Sequence, residues 1–162
     1  MKRISLITTL LFCTVLSFAW QNKEQTKLYN PEANAREEIK NAVSEAKKEH
    51  KNVLLQVGGN WCIWCTRFHQ TVAGNDTLNK LLQDNYEIVY VNYEKKNDED
   101  PIWKELGFPQ RFGFPVFVIL DENGNRIHTQ NSAYLEEGKG HSPAKIAEFL
   151  KHWSSAAVAG KG

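Results

Sequence analysis

The chain has 162 residues, which is enough for one domain with short additional segments. A hydrophobic fraction of 41% and an aromatic fraction of 11% can supply a core. The 20 basic and 19 acidic residues nearly cancel, and the sequence has no basic run. This charge balance argues against a nucleic-acid-binding protein and against binding to an anionic membrane surface.

Residues 1–19 have the pattern of a secretory signal peptide. A short basic start precedes an apolar run, and the small residues Ser17 and Ala19 lie at the predicted cleavage position. The alternative is an uncleaved membrane anchor, but the apolar run is shorter than the roughly 20 residues of a spanning helix. Cleavage leaves no membrane span, a net charge of −1, and Cys62 and Cys65 as the only cysteines. We therefore expect an exported protein, with a bacterial periplasm as the favoured compartment.

The rest of the chain is predicted to contain one α/β domain. Residues 20–29 are expected to be a polar lead-in, residues 30–153 the domain, and residues 154–162 a flexible tail. The first helix is predicted at 30–51, with Asn30 as its N-cap. Apolar runs and helical periodicity then predict these elements: a strand at 52–59, helices at 62–72 and 75–85, a strand at 86–93, a brief helix at 101–108, a hairpin at 116–130 and a helix at 142–153. This order predicts a mixed central sheet with helices on both faces.

Cys62 and Cys65 form a Cys-x-x-Cys pair where a helix is predicted to begin. Unpaired backbone N–H groups and the helix dipole stabilise a thiolate at that position, and the thiolate is the species that attacks disulfides. A second cysteine one turn later can close a disulfide and release a mixed intermediate. The pattern therefore predicts Cys62 as the nucleophile and Cys65 as the resolving thiol. A purely structural disulfide is disfavoured, because so short a loop constrains little of the unfolded chain.

Two segments resemble the thioredoxin superfamily, VLLQVGGNWCIWCTRF and GFPVFVILDENGN, and the resemblance extends over residues 50–153. It implies a thioredoxin fold, with a mixed central sheet flanked by helices and an additional N-terminal helix similar to that of exported members. It also implies a thiol–disulfide oxidoreductase without an organic cofactor or metal. By resemblance, Trp61 shields the dithiol, Pro115 is a cis-proline opposite the sulfurs, and the backbone of Phe114 holds a substrate strand. A trans turn before a strand is the alternative at Phe114–Pro115.

The chain departs from the family pattern at two places. Gln56 stands where many thioredoxins have a buried aspartate, and an amide cannot act as a carboxylate base. The residues between the cysteines, Ile63 and Trp64, match neither the reducing nor the oxidising members. The redox direction therefore stays open, although the resemblance to exported members favours a reductant. Trp64 is expected to lie exposed on the first turn, either as a hydrophobic lip that binds substrates or packed on a neighbouring loop.

The expected partners are cysteine-containing client proteins and a second dithiol protein that donates or accepts electrons, such as a membrane thiol reductase. The alternative class is a binding protein with the same fold. Cys62, Cys65 and His69 have spacing that suits three ligands of a zinc or copper ion, with His128 or His141 as a distant fourth, but a solvated helix position for His69 is the favoured explanation. A module that binds clients without redox chemistry is the other form of this alternative.

Overall fold

A computed structural model describes residues 27–98 and 100–160. The predicted signal peptide and residues 20–26 of the predicted lead-in lie outside the described residues. The helices are α1 (Ala35–Glu49), α2 (Ile63–Ala73), α3 (Asp76–Asn85), α4 (Ile102–Glu105), α5 (Pro143–His152) and α6 (Ser155–Val158). The strands are β1 (Asn52–Gly58), β2 (Tyr86–Asn92), β3 (Val116–Leu120), β4 (Arg126–Asn131), β5 (Glu136–Glu137) and β6 (Gly140–His141). Among these residues, no helix combines the length and the apolar character needed to cross a membrane.

The central sheet has the strand order β2-β1-β3-β4. Strand β1 pairs parallel to β2, and the crossover between them contains α2 and α3. On its other side β1 pairs antiparallel to β3, which forms a hairpin with β4. The predicted α/β class and mixed sheet are therefore confirmed. Strands β5 and β6 form a separate small hairpin that the sequence did not predict.

Strand β1 is buried along its whole length because helices cover both faces of the sheet. Side chains alternate between the faces of a strand. Val53, Leu55 and Val57 belong to the core that α1 and α4 cover. Leu54 belongs to the opposite core, between the sheet and helices α2, α3 and α5. Gln56 shares the face of Leu54, so this polar side chain points towards α2.

The first helix begins later than predicted. Asn34, not Asn30, is the N-cap, and its side-chain oxygen accepts hydrogen bonds from the backbone N–H groups of Arg36 at 3.1 Å and Glu37 at 3.3 Å. Asn30 closes a turn upstream of the helix instead. Both asparagines have the chemistry of an N-cap. Only the path of the chain into α1 distinguishes them.

Tyr29 belongs to the domain, although the sequence placed it in the polar lead-in. It is 1% exposed. Its backbone N–H donates to Asn60 Oδ1 at 3.0 Å, and the Asn60 amide donates back to the Tyr29 carbonyl at 2.8 Å. The prediction missed this residue because its buried packing partners, Cys62 and Cys65, are distant in sequence.

The segment after α5 is also more ordered than predicted. Helix α6 occupies four residues of the expected flexible tail. The Ser154 side chain caps it by accepting a hydrogen bond from the Ala157 N–H at 3.3 Å, and the Ser155 hydroxyl donates to the His50 carbonyl. These hydrogen bonds hold the segment against the turn between α1 and β1.

Tyr86 links the sheet to the last long helix. Its buried hydroxyl donates a 2.7 Å hydrogen bond to the Leu150 carbonyl in α5. We expect Tyr86→Phe to lower the free energy of unfolding by about 1–2 kcal/mol, because a buried carbonyl loses its donor. Urea denaturation measures this change. Tyr134→Phe is the matched control, since Tyr134 is 74% exposed, and equal losses in the two variants would contradict the assignment.

Candidate active site

The dithiol lies at the junction between β1 and α2. Cys62 is the N-cap of α2, and its Sγ accepts a 3.1 Å hydrogen bond from the backbone N–H of Cys65. The two cysteines are joined in a disulfide with their Cα atoms 5.3 Å apart. Cys62 is 5% exposed and Cys65 is 0% exposed. Cys62 is therefore the sulfur that a partner can reach, and Cys65 lies behind it.

The local field at Cys62 favours a thiolate. Helix α2 spans 11 residues and has no acidic side chain in its first turn. The positive end of its dipole and its unpaired N–H groups therefore point at the Cys62 sulfur without a competing negative charge. This arrangement lowers the cost of ionising the thiol once the disulfide is reduced.

Three aromatic residues beside Cys62, which we call the aromatic trio, are Trp61, Tyr93 and Phe114. Trp61 is 57% exposed, and its indole N–H donates a 3.0 Å hydrogen bond to the Tyr93 carbonyl. The ring of Phe114 lies 5.2 Å from that of Trp61 and 4.8 Å from that of Tyr93, measured between centroids. The trio therefore forms a supported, partly exposed apolar surface next to the reachable sulfur.

The peptide bond between Phe114 and Pro115 is cis. It precedes β3, with Pro115 buried and Phe114 half-buried. Phe114 packs against a buried cluster of Tyr29, Cys62 and Cys65. The structure thus brings the Phe114 side chain and the dithiol together.

Gln56 and Tyr29 lie on the inner side of the dithiol. Gln56 is 2% exposed, and its Nε2 donates to the Tyr29 hydroxyl at 2.8 Å and to the Cys65 carbonyl at 3.4 Å. Burial raises the pKa of Tyr29 far above its ordinary value, and the Gln56 hydrogen bond offsets this only in part. The hydroxyl therefore stays protonated. The amide at position 56 is thus paired with a tyrosine that the sequence analysis did not connect to the site.

Trp64 lies on the opposite side of the helix start and is half-buried. Its ring packs edge-on against His141 at 5.6 Å, and the Arg67 guanidinium lies 4.9 Å from the ring centroid. The expectation that Trp64 is exposed is therefore wrong, because its ring packs against His141 of the β5–β6 hairpin and beside Arg67. Of the two alternatives that the sequence left open, packing on a neighbouring segment matches these contacts. The exposed apolar residue of the first turn is Ile63, at 54%.

His69 lies one turn beyond Cys65 but faces Tyr90. Its Nδ1 is 3.3 Å from the Tyr90 hydroxyl oxygen. Across residues 27–98 and 100–160, no three side chains of His, Cys, Asp or Glu converge as a metal site would require. His69 also lines a cleft of about 260 Å³ with Tyr29 and Asn60.

Sequence reasoning missed Tyr29, Tyr93 and His141 as parts of the site. Tyr93 was counted as the end of a strand, and its partner Trp61 lies 32 positions earlier. Tyr29 had one available signal, a large aromatic in a polar stretch, since such a residue is costly to leave in water. No signal in the sequence marked His141 as part of the site, because its contacts form only when β6 packs on α2.

A family model described as a thioredoxin-like domain matches residues 39–137. The chain therefore belongs to the thioredoxin-like family. Among curated proteins it is similar to the thiol:disulfide interchange protein DsbE of Pasteurella multocida, with 28% identity over 102 residues, 59% of this chain and 50% of that protein. It is also similar to spermatogenesis-associated protein 20 of Mus musculus, with 34% identity over 62 residues, 38% of this chain and 8% of that protein.

Solved structures share the fold. A disulphide isomerase from Xylella fastidiosa Temecula1 superposes with a TM-score of 0.67 at 24% identity, covering 76% of this chain and 94% of that one. The reduced C-terminal domain of Neisseria meningitidis DsbD has a TM-score of 0.51 at 21% identity, covering 73% and 96%. The chain spans at most 50% of the two curated relatives described above.

His141 is a buried histidine without hydrogen-bond partners. It is 6% exposed, and within the described residues neither ring nitrogen has a partner. Its ring lies edge-on to Trp64 and to Phe68 of α2. Burial, and to a lesser extent the positive charge of Arg67, lower its pKa to about 4. His141 is therefore neutral in the folded protein at neutral pH.

This lowered pKa makes stability depend on pH. An unfolded chain, with an ordinary histidine pKa of about 6.5, binds a proton between pH 6.5 and 4 that the folded protein does not. The contribution of His141 is complete above pH 6.5, and about 1–3 kcal/mol is lost as the pH falls towards 4. We expect His141→Phe to lose less stability than the parent between pH 7 and 4.5 in urea denaturation. The control variant His152→Phe, at an exposed position, should show the same dependence of stability on pH as the parent. The same dependence in His141→Phe as in the parent would refute the assignment.

Proposed function

We propose that this chain is a thiol–disulfide oxidoreductase that exchanges disulfides with cysteine-containing protein substrates. The observation that carries the proposal is the Cys62–Cys65 pair at the N-terminus of α2, with Cys62 at the N-cap and nearer to solvent. Membership of the thioredoxin-like family supports it, as does the similarity to a protein named for thiol:disulfide interchange.

The exchange proceeds in two steps that balance electrons and protons. The Cys62 thiolate attacks a client disulfide, forms a mixed disulfide, and releases one client sulfur as a thiolate that takes a proton from solvent. Cys65 then loses its proton, and its sulfur attacks Cys62 Sγ. The bond between Cys62 and the client breaks, and the second client thiolate is protonated. The client is reduced by two electrons, and the cysteine pair is oxidised to its disulfide.

The aromatic trio and the Phe114–Pro115 segment are proposed to hold the client. Trp61 and Ile63 are exposed apolar side chains on either side of Cys62 in sequence, at 57% and 54%. They suit apolar residues that flank a cysteine in an extended segment. The Phe114 backbone, directly before β3, is placed to pair with such a segment by main-chain hydrogen bonds.

We propose the reducing direction. A pair becomes strongly oxidising when its reduced form is stabilised. Here Ile63 offers no polar group to Cys62, and Trp64 has its ring against His141. The Cys62 sulfur accepts one hydrogen bond within the described residues, from the Cys65 N–H. The residues between the cysteines therefore add no stabilising group to the one that the start of α2 supplies, which favours a lower reduction potential than in a pair whose intervening residues supply a donor.

Export supplies the setting for this activity. Residues 1–19 have the pattern of a signal peptide, so we propose a periplasmic location. A second dithiol protein, such as a membrane thiol reductase, would then return electrons to the Cys62–Cys65 disulfide. No organic cofactor takes part in this scheme.

Serine substitutions separate the two cysteine roles. We expect Cys62→Ser to reduce turnover of a model protein disulfide, with dithiothreitol as the electron source, to the background rate. Cys65→Ser should instead accumulate mixed disulfides with the substrate, because the nucleophile remains and the resolving thiol is lost. Non-reducing gel electrophoresis detects these adducts.

Cys13→Ser is the matched control and should keep full turnover. Substrate binding that survives loss of both cysteines, without turnover in the parent, would support a client-binding module instead. Stoichiometric zinc or copper that protects Cys62 and Cys65 from alkylation would support a metal-binding protein.

The equilibrium potential tests the direction. In glutathione buffers, the fluorescence of Trp61 and Trp64 should follow oxidation of the adjacent pair. We expect a reduction potential of about −270 mV, as for a reducing thioredoxin, because Ile63 and Trp64 add no polar contact to the stabilisation that the start of α2 provides. A value of roughly −120 to −180 mV would contradict the reducing assignment and indicate an oxidant or isomerase.

A further inference from the structure

The Tyr29 hydroxyl and the Cys65 sulfur both lie next to Gly58, on the buried side of the dithiol. A Cβ atom placed on Gly58 would overlap Cys65 Sγ and lie 2.7 Å from the Tyr29 hydroxyl oxygen. Tyr29, Cys62 and Cys65 also form one buried cluster. Because glycine has no Cβ, the two polar groups share the space above it.

The hydrogen bonds of Tyr29 leave one donor available. Its hydroxyl accepts the 2.8 Å hydrogen bond from Gln56 Nε2. Over the part of the chain that the structure describes, the hydroxyl hydrogen itself is not donated to any acceptor. A tyrosine hydroxyl can accept and donate at the same time. Gln56 Nε2 also donates to the Cys65 carbonyl at 3.4 Å. The Gln56 side chain therefore bridges the Tyr29 hydroxyl and the start of α2.

We propose that Tyr29 donates a hydrogen bond to the Cys65 sulfur when this sulfur is negatively charged, and that Gln56 is the positioning residue that orients the hydroxyl. The inference rests on the proposed function. In the resolving step, the Cys65 proton goes to solvent and its thiolate forms the bond to Cys62 Sγ. The bond between Cys62 and the client then breaks, and the client thiolate takes up a proton from solvent. Tyr29 stabilises the thiolate and transfers no proton itself.

The position of Tyr29 beside Cys65 suits a hydrogen-bond donor and not a general base. Burial raises the pKa of Tyr29, so it keeps its proton over the range in which thiols ionise. A cleft of about 260 Å³ lies beside Tyr29. The titratable groups on this side are Tyr90, with its ring 5.8 Å from that of Tyr29, and His69 and Lys27, which line the cleft. None of them is a carboxylate, which is the group the family pattern would supply at position 56.

The test measures the ionisation of Cys65 directly. The full chain carrying Cys13→Ser and Cys62→Ser has Cys65 as its only cysteine, so thiolate absorbance against pH gives its pKa. We expect Tyr29→Phe to raise that pKa by about one unit, since the charged form loses a hydrogen bond. Gln56→Met should shift it less, in the same direction. Tyr86→Phe, which loses a buried hydroxyl elsewhere, should not shift it.

The rate of the resolving step supplies a second readout. In the protein with both cysteines, Tyr29→Phe should slow resolution about threefold near neutral pH, because the loss of thiolate, about tenfold, is partly offset by the greater nucleophilicity of a thiolate with a higher pKa. The rate should recover at higher pH, with the attack by Cys62 unchanged. An unshifted pKa in Tyr29→Phe, or in Gln56→Met should the first variant not fold, overturns the inference and leaves disulfide exchange intact. Absence of exchange in the parent overturns the proposed function, whereas the titration still decides the role of Tyr29.

Discussion

The hydrogen bond from the Cys65 backbone to the Cys62 sulfur is the contact on which the site depends. It exists because α2 begins directly after Cys62, with that side chain in the N-cap position. The helix is held there because Phe68 and Val72 enter the core against β3 and α5, and β1 is buried on both faces. Strand, turn and helix therefore place one sulfur at the positive end of a dipole.

The two sides of the dithiol differ in how exposed their aromatic residues are. On one side the aromatic trio is partly exposed and supported by the Trp61 indole hydrogen bond. On the other side Trp64 is covered by His141 and Arg67, which closes that face. Under the proposed function, a client that reaches Cys62 would therefore meet Trp61 and Ile63 first. The same contacts isolate His141 from solvent and link the β5–β6 hairpin to the helix that carries the chemistry.

Beneath the sulfurs, a polar pair occupies an otherwise apolar cluster. Burying Gln56 and the Tyr29 hydroxyl is unfavourable unless they satisfy each other, which the 2.8 Å hydrogen bond does. The Asn60 side chain holds the Tyr29 backbone by two further hydrogen bonds. The segment before α1 is thereby tied to the active-site turn, so the N-terminal addition to the fold forms one wall of the site.

The sequence by itself determined the α/β class, the order of strands β1–β4 and helices α1–α5, and the dithiol at a helix N-terminus, because these follow from hydrophobic periodicity and from the local spacing of Cys62 and Cys65. The resemblance to thioredoxins also implied that position 56 lies near the pair without a carboxylate. Only the tertiary structure decided which side chain lies beside Gln56. Tyr29 is 27 positions from Gln56, and no local pattern encodes a contact made when a segment folds back over β1. Local sequence also did not predict the packing of Trp64 on His141 or the choice of Asn34 as the cap. Each of these depends on where distant segments of the chain pass.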